Sequence, residues 1–138
     1  LNQPKLLIVD EPTAGLDPAE RHRFFNLISE VSQEAIVILS THIVSDIEAL
    51  CNDMAIIHQG HIVANGLPSE FIETLQGKVF EKTIAKGELV QYQQSHRVIN
   101  NRLFLGKTII RVVSETPLGE RFEPVNISLE DVYLNSIL

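Results

Sequence analysis

Asp10, Glu11 and His42 are the residues in this chain whose types and placement best suit chemistry. Asp10 and Glu11 stand back to back in the run Leu6-Leu7-Ile8-Val9-Asp10-Glu11-Pro12-Thr13-Ala14-Gly15-Leu16-Asp17-Pro18. Four aliphatic residues closed by a turn signal read as a strand buried on both faces. Two adjacent acids at the end of such a strand make sense where the strand opens into a site that uses carboxylates. Their side chains point to opposite faces, so the two acids cannot share one task. In an open parallel sheet, ligands sit beyond the carboxyl ends of the strands, which puts both acids at the mouth of a site.

The elements around them form a repeat. Asp17 suits an N-cap and Pro18 the first helical position. Phe24, Leu27, Ile28 and Val31 then recur at helical spacing, so the sequence predicts an amphipathic helix with Arg21, His22, Arg23 and Glu30 on its solvated face. Ala35-Ile36-Val37-Ile38-Leu39 is a second apolar strand, and it ends in Ser40-Thr41-His42. Strand, helix, strand implies a βαβ unit whose strands finish on one edge. That brings His42 to the edge carrying Asp10 and Glu11. A short helix from Ile43 to Cys51 follows, with Ile43, Ile47 and Leu50 on its inner side and Asp46 and Glu48 off it. Cys51 reads as a small core residue.

Asp-Glu-Pro-Thr followed by Gly-Leu-Asp-Pro, with Ser-Thr-His after the next strand, resembles the ATP-binding-cassette (ABC) ATPases that drive ABC transporters. The first run is similar to their Walker B segment and D-loop, the second to their H-loop. The resemblance implies an α/β fold: the C-terminal part of a P-loop NTPase parallel sheet, followed by a small α+β appendage. It implies ATP and Mg²⁺ as cofactors. Asp10 matches the aspartate that holds Mg²⁺, commonly through water, since Mg²⁺ sheds its own waters reluctantly. Glu11 matches the catalytic carboxylate that orients and polarises the attacking water. His42 matches the switch histidine that contacts the γ-phosphate, so it is both a catalytic and a nucleotide-binding residue. Ala14, Gly15, Leu16 and Asp17 match the loop at the interface between two ATPase subunits. Asp17 therefore has two readings, helix N-cap and cross-dimer contact. The partners implied are a second ATPase subunit and a transmembrane permease subunit, with the chain on the cytoplasmic face of the membrane.

Other features of the family are not in the chain. It contains no G-x-x-x-x-G-K-[ST], no LSGGQ-like signature and no Q-loop. The signature and the Q-loop would precede Leu1, and Leu1-Asn2-Gln3-Pro4 reads as the tail of a helix and a turn. The expectation is a piece of a longer protein that, alone, neither binds ATP tightly nor hydrolyses it. In related ATPases the strand leading to the phosphate loop lies between those matching 35–39 and 54–58, so its loss would leave two unpaired edges.

Composition sets outer limits. No apolar run approaches bilayer-spanning length and no signal peptide is visible, so a membrane role would come through a partner. A single cysteine allows no internal disulfide. Residues 1–76 carry three basic residues against eleven acids, and residues 77–138 carry eight against seven. The shift suggests a boundary near Gly77: residues 1–76 as the ATPase portion and 77–138 as an accessory domain. An acidic front half argues against a nucleic-acid footprint.

Met54–His58 and His61–Asn65 read as a hairpin turning at Gln59-Gly60, with His58 and His61 as surface residues rather than a metal pair. Gly66 to Leu75 holds a helix with Pro68 in its first turn. Beyond Gly77, the pattern predicts a strand at 79–84, a short helix within 87–95, a hairpin of 97–105 with 107–113, and a turn at Pro117–Glu120. A last helix opens at Ser128, capped with Asp131. Its Ser-Leu-Glu-Asp-Val-Tyr-Leu resembles the ending of ATPase subunits from the multidrug- and antibiotic-exporter branch. The resemblance does not extend to the middle, 78–125, whose basic residues read as solvated. A soluble ABC ATPase without a membrane partner fits less well; a further reading, compatible with the transporter one, makes 77–138 a non-catalytic regulatory or dimerisation module.

Overall fold

A computed structural model describes residues 3–119 and 121–138. Leu1 and Asn2 of the expected opening turn, and Glu120 of the expected turn at 117–120, lie outside the described residues. The chain divides into two compact units, one ending at Asn52 and the other spanning Asp53–Leu138.

In the first unit, β1 (Leu6–Asp10) pairs in parallel with β2 (Ile36–Ser40). The register runs from Leu6 opposite Ile36 to Asp10 opposite Ser40. Helix α1 (Pro18–Val31) makes the crossover, and α2 (Val44–Leu50) follows β2. Asp17 caps α1 as expected. Its carboxylate accepts the Glu20 amide at 2.8 Å, while the Glu20 carboxylate accepts the Asp17 amide at 3.2 Å, a reciprocal capping box.

Burial departs from the sequence reading in the strands and in α1. The sequence predicts β1 buried on both faces and β2 as a second apolar strand. Instead Leu7, Val9, Val37 and Leu39 are half-buried, whereas Ile8 is 66% and Ile36 68% exposed, with Leu6 and Ile38 also open. A continuous apolar run specifies two apolar faces, but each face still needs its own covering layer. Within α1, Ile28 is buried, but Leu27, expected on the same stripe, is exposed. Phe25 is half-buried in its stead, so the inner face is turned toward Phe24, Phe25 and Ile28.

The second unit opens with a hairpin, β3 (Met54–His58) against β4 (His61–Gly66), with a register shift between Ile56 and Ile57. Gln59 and Gly60 turn it with φ of 49° and 79°. Two consecutive positive φ values match the right-handed twist of the flanking strands, and glycine takes the second without steric cost. Helix α3 (Pro68–Thr74) leads to β5 (Val79–Ile84). A 3₁₀ turn at Lys86–Glu88 runs into α4 (Leu89–Ser95), then β6 (Arg97–Phe104), β7 (Lys107–Val113), β8 (Glu123–Pro124) and α5 (Leu129–Ile137). Strands β6, β7, β5 and β8 form one antiparallel sheet in that order. Only β8 was not foreseen, since two residues ending in proline carry no alternation.

Ile84, Ile110 and Val112 form a buried cluster, with Leu89, Tyr92, Val98, Leu118 and Phe122 packed on it. Two basic residues expected to be solvated are built into this unit. Lys82 Nζ lies 4.8 Å from the Tyr92 ring centre and 4.6 Å from that of Phe122. Arg111 donates to Asp131 at 2.6 Å and to Glu81 at 3.3 Å. Burial opposes the Arg111 charge, but these two carboxylates outweigh it and raise its pKa. Asp131 also caps α5, accepting the Ser128 amide at 2.9 Å. The unit begins at Asp53, upstream of the composition break at Gly77. The break at Gly77 is one of sequence character; the one at Asn52 is one of packing.

Because Asp131 is 1% exposed and serves both the cap and Arg111, Asp131→Ala is expected to destabilise this unit by about 3 kcal/mol. Urea unfolding measures it. A loss below about 1 kcal/mol would reduce the pair to the worth of a surface one.

Candidate functional site

The parallel register decides where the polar residues go. Asp10 ends β1 directly opposite Ser40, which ends β2, and the Ser40 hydroxyl donates to the Asp10 carboxylate. The chain then leaves both strands at the same edge. The Glu11 amide donates to the Ser40 carbonyl at 2.8 Å, extending the pairing one residue past β1. Glu11 has φ of 44°, the left-handed region, which costs a non-glycine residue about 1–2 kcal/mol. Backbone held this way gathers at functional sites and persists because its surroundings fix it.

Those surroundings are polar and specific. One Glu11 oxygen accepts the His42 amide at 3.0 Å. The other lies 2.8 Å from His42 Nδ1 and 3.4 Å from the Thr41 hydroxyl. Thr41 is itself held, since its hydroxyl accepts the Ile43 amide at 2.9 Å. His42 keeps 78% of its side chain exposed, so one ring nitrogen meets Glu11 while the rest of the ring faces outward. Asp10, Glu11 and His42 thus gather at one strand edge, with Asp10 and His42 open to solvent and Glu11 half-buried between them.

The loop from Glu11 to Asp17 is folded on itself. The Ala14 amide donates to the Glu11 carbonyl and the Leu16 amide to the Thr13 carbonyl, each at 3.2 Å. Gly15 has φ of 80°, a conformation open to glycine without strain. Ala14, Gly15, Leu16 and Asp17 are all exposed, Leu16 included. Of the two readings of Asp17, the N-cap is the one this geometry displays.

Comparison with known proteins adds a family. Nod factor export ATP-binding protein I of Rhizobium meliloti (strain 1021) is 40% identical over 151 aligned residues, covering 97% of this chain and 43% of that protein. ABC transporter A family member 8 of Dictyostelium discoideum is 36% identical over 66 residues, 48% of this chain and 8% of that protein. The chain belongs with the ABC transporter ATP-binding proteins. It spans less than half the length of the curated relatives it matches. A solved structure of the ATP binding subunit of an ABC transporter is similar at a TM-score of 0.48 and 33% identity, over 54% of this chain and 31% of that one. No family model matches.

For this ABC chain, sequence reasoning missed a buried polar cluster behind the site edge. Asp46 was expected off the inner side of α2, yet it is 0% exposed. Thr13, 3% exposed, donates its hydroxyl to one Asp46 oxygen, and Arg21 Nη2 donates to the other. Arg21 was expected on the solvated face of α1. It also donates to the Ser45 hydroxyl at 2.7 Å and stands 5.5 Å from the Phe25 ring centre. The signal was present in the spacing. Positions 43, 46, 47 and 50 follow i, i+3, i+4, i+7, as do 21, 24, 25 and 28, so helical periodicity alone turns Asp46 and Arg21 inward. Their charge argued the other way, and pairing reconciles the two.

Removing one partner of a buried pair strands the other's charge. Arg21→Ala is therefore expected to destabilise the first unit by about 3 kcal/mol, read as a lowered denaturant midpoint. Cys51 supplies an independent readout. Burial first, and then the neighbouring Asp46 carboxylate, push its thiol pKa up. Half-maximal alkylation by iodoacetamide is thus expected above the ordinary thiol value of about pH 8.5, and Asp46→Asn should move it to lower pH. An upward move would place the wrong sign on Asp46.

Proposed function

We propose that this chain supplies the water-activating and phosphate-sensing edge of an ABC transporter ATPase, working in export. The observation that carries the reading is the convergence of Asp10, Glu11 and His42 at one strand edge, with His42 Nδ1 2.8 Å from the Glu11 carboxylate. Export is favoured by the name of the Rhizobium meliloti relative and by the exporter-like ending at Ser128–Leu134. The transport itself would pass through a separate membrane protein. Among the described residues no helix is long and apolar enough to cross a membrane.

The donor set suits Mg²⁺-ATP. The Asp10 carboxylate offers the hard oxygen ligand that Mg²⁺ prefers, the Glu11 carboxylate a base, and the exposed His42 imidazole a donor to a phosphate oxygen. Asp10 would hold the metal, with Ser40 orienting its carboxylate. When bound, Mg²⁺ would supply neutralisation of the phosphate charge. Glu11 would accept a proton from the attacking water. Three contacts from Thr41 and His42 fix the Glu11 carboxylate in direction, which is what a water-orienting base requires. His42 would face the γ-phosphate with the ring edge turned away from Glu11. Exposed Ala14, Gly15, Leu16 and Asp17 would meet a second ATPase subunit. Residues 77–138 would act as an accessory domain.

Turnover by the full-length protein tests the reading. Glu11→Gln is expected to lower kcat by about 10²–10³-fold while ATP binding persists, and His42→Ala to lower it by about 10²-fold. Wild-type turnover in Glu11→Gln would remove the carboxylate from its role. Residues 1–138 alone are expected to show neither micromolar ATP affinity nor phosphate release.

A further inference from the structure

One buried carboxylate touches the chain at both ends of the loop that starts at Glu11. Asp46 accepts from Thr13, two residues after Glu11, and from Arg21, in the first turn of the helix that Asp17 caps. Asp46 itself lies four residues beyond His42, within α2. The segments bearing Glu11 and His42 are therefore joined twice. They meet at the solvent edge through Glu11 and His42, and again in the interior through Thr13 and Asp46.

A space-filling role does not call for this arrangement. Apolar side chains of similar volume would fill the region without desolvating two charges, and such replacements are often neutral or stabilising. Arg21 moreover leaves its Nε buried and without a partner among the described residues, a further cost to stability. What charged hydrogen bonds add over apolar packing is direction and a unique register.

We propose that Asp46 is a positioning residue that, through Thr13 and Arg21, fixes the loop 11–17 against the His42 segment and so sets the Glu11 carboxylate for turnover. The proposal rests on the reading of Glu11 and His42 as hydrolysis residues. Asp46 acts only through these neighbours. Loss of the clamp frees the loop to shift while the Glu11 and His42 side chains remain present.

The test uses the full-length protein and two readouts. Amide hydrogen exchange without nucleotide follows Ala14 and Leu16, whose amides bond within the loop. Steady-state kinetics give kcat and KM for ATP. Asp46→Asn keeps the shape and removes the charge; Thr13→Val keeps the shape and removes the hydroxyl. Each is expected to speed exchange at Ala14 and Leu16 and to lower kcat, both by about tenfold, with KM within about twofold. Thr13→Ser retains the hydroxyl and should restore both readouts. The double variant Thr13→Val, Asp46→Asn should fall no further than Asp46→Asn alone. Unchanged exchange in both single variants would overturn the proposal, as would faster exchange with undiminished kcat. Failure of the hydrolysis reading shows separately, as retained turnover in Glu11→Gln, and leaves the exchange result standing.

Discussion

The parallel pairing of β1 with β2 is the constraint from which the site follows. Parallel strands end on the same edge, and with Asp10 opposite Ser40 the next residues of both strands must emerge side by side. Glu11 and His42 are thirty-one positions apart in the chain, yet one main-chain hydrogen bond, from Glu11 to Ser40, is enough to bring them into contact. An antiparallel partner would have sent the Ser-Thr-His segment to the opposite end. Slipping β2 by one residue against β1 would turn its half-buried Val37 and Leu39 to the other face and bring Ile36 and Ile38 into their place.

Behind that edge, polar satisfaction replaces apolar packing. Asp46 has no water to solvate it, so each of its oxygens must find a donor within the chain, and each does. The two donors come from a loop and a helix distant in sequence, which makes the carboxylate a junction of three segments. Arg21 divides its guanidinium between Asp46, Ser45 and the face of Phe25. The result is a small interior held by directional contacts, where any lost partner leaves a charge stranded.

The second unit solves its interior in the usual way and adds one similar junction. Ile84, Ile110 and Val112 are sealed by aromatic and aliphatic neighbours. Asp131 links the start of α5 to Arg111 of β7, and Arg111 reaches on to Glu81 of β5. The two units thus share a device, in which one buried carboxylate near a helix start ties that helix to a neighbouring segment. In α5 the capping box announces it, since Ser128 and Asp131 stand at the required spacing. In α2 no cap announces it, because Ile43 occupies the N-cap position.

Local signals were enough for the element order: apolar runs for β1 and β2, Asp17-Pro18 for the start of α1, Gln59-Gly60 and Gly106 for the hairpins. They were enough, too, for the meeting of Asp10, Glu11 and His42, because a βαβ unit leaves one place for them. Periodicity and capping act over a few residues, so the chain states them directly. Helical spacing turns Asp46 and Arg21 inward, but only tertiary structure decided that Thr13 would join them and that their charges would be met there. Asp46 and Thr13 are buried, with Arg21 half-buried beside them, only as a set, since each supplies what the others need, and no single stretch contains the set. It also decided that Ile8 and Ile36 stay exposed, because an apolar side chain specifies a preference for cover and the arrangement of layers determines whether cover is there.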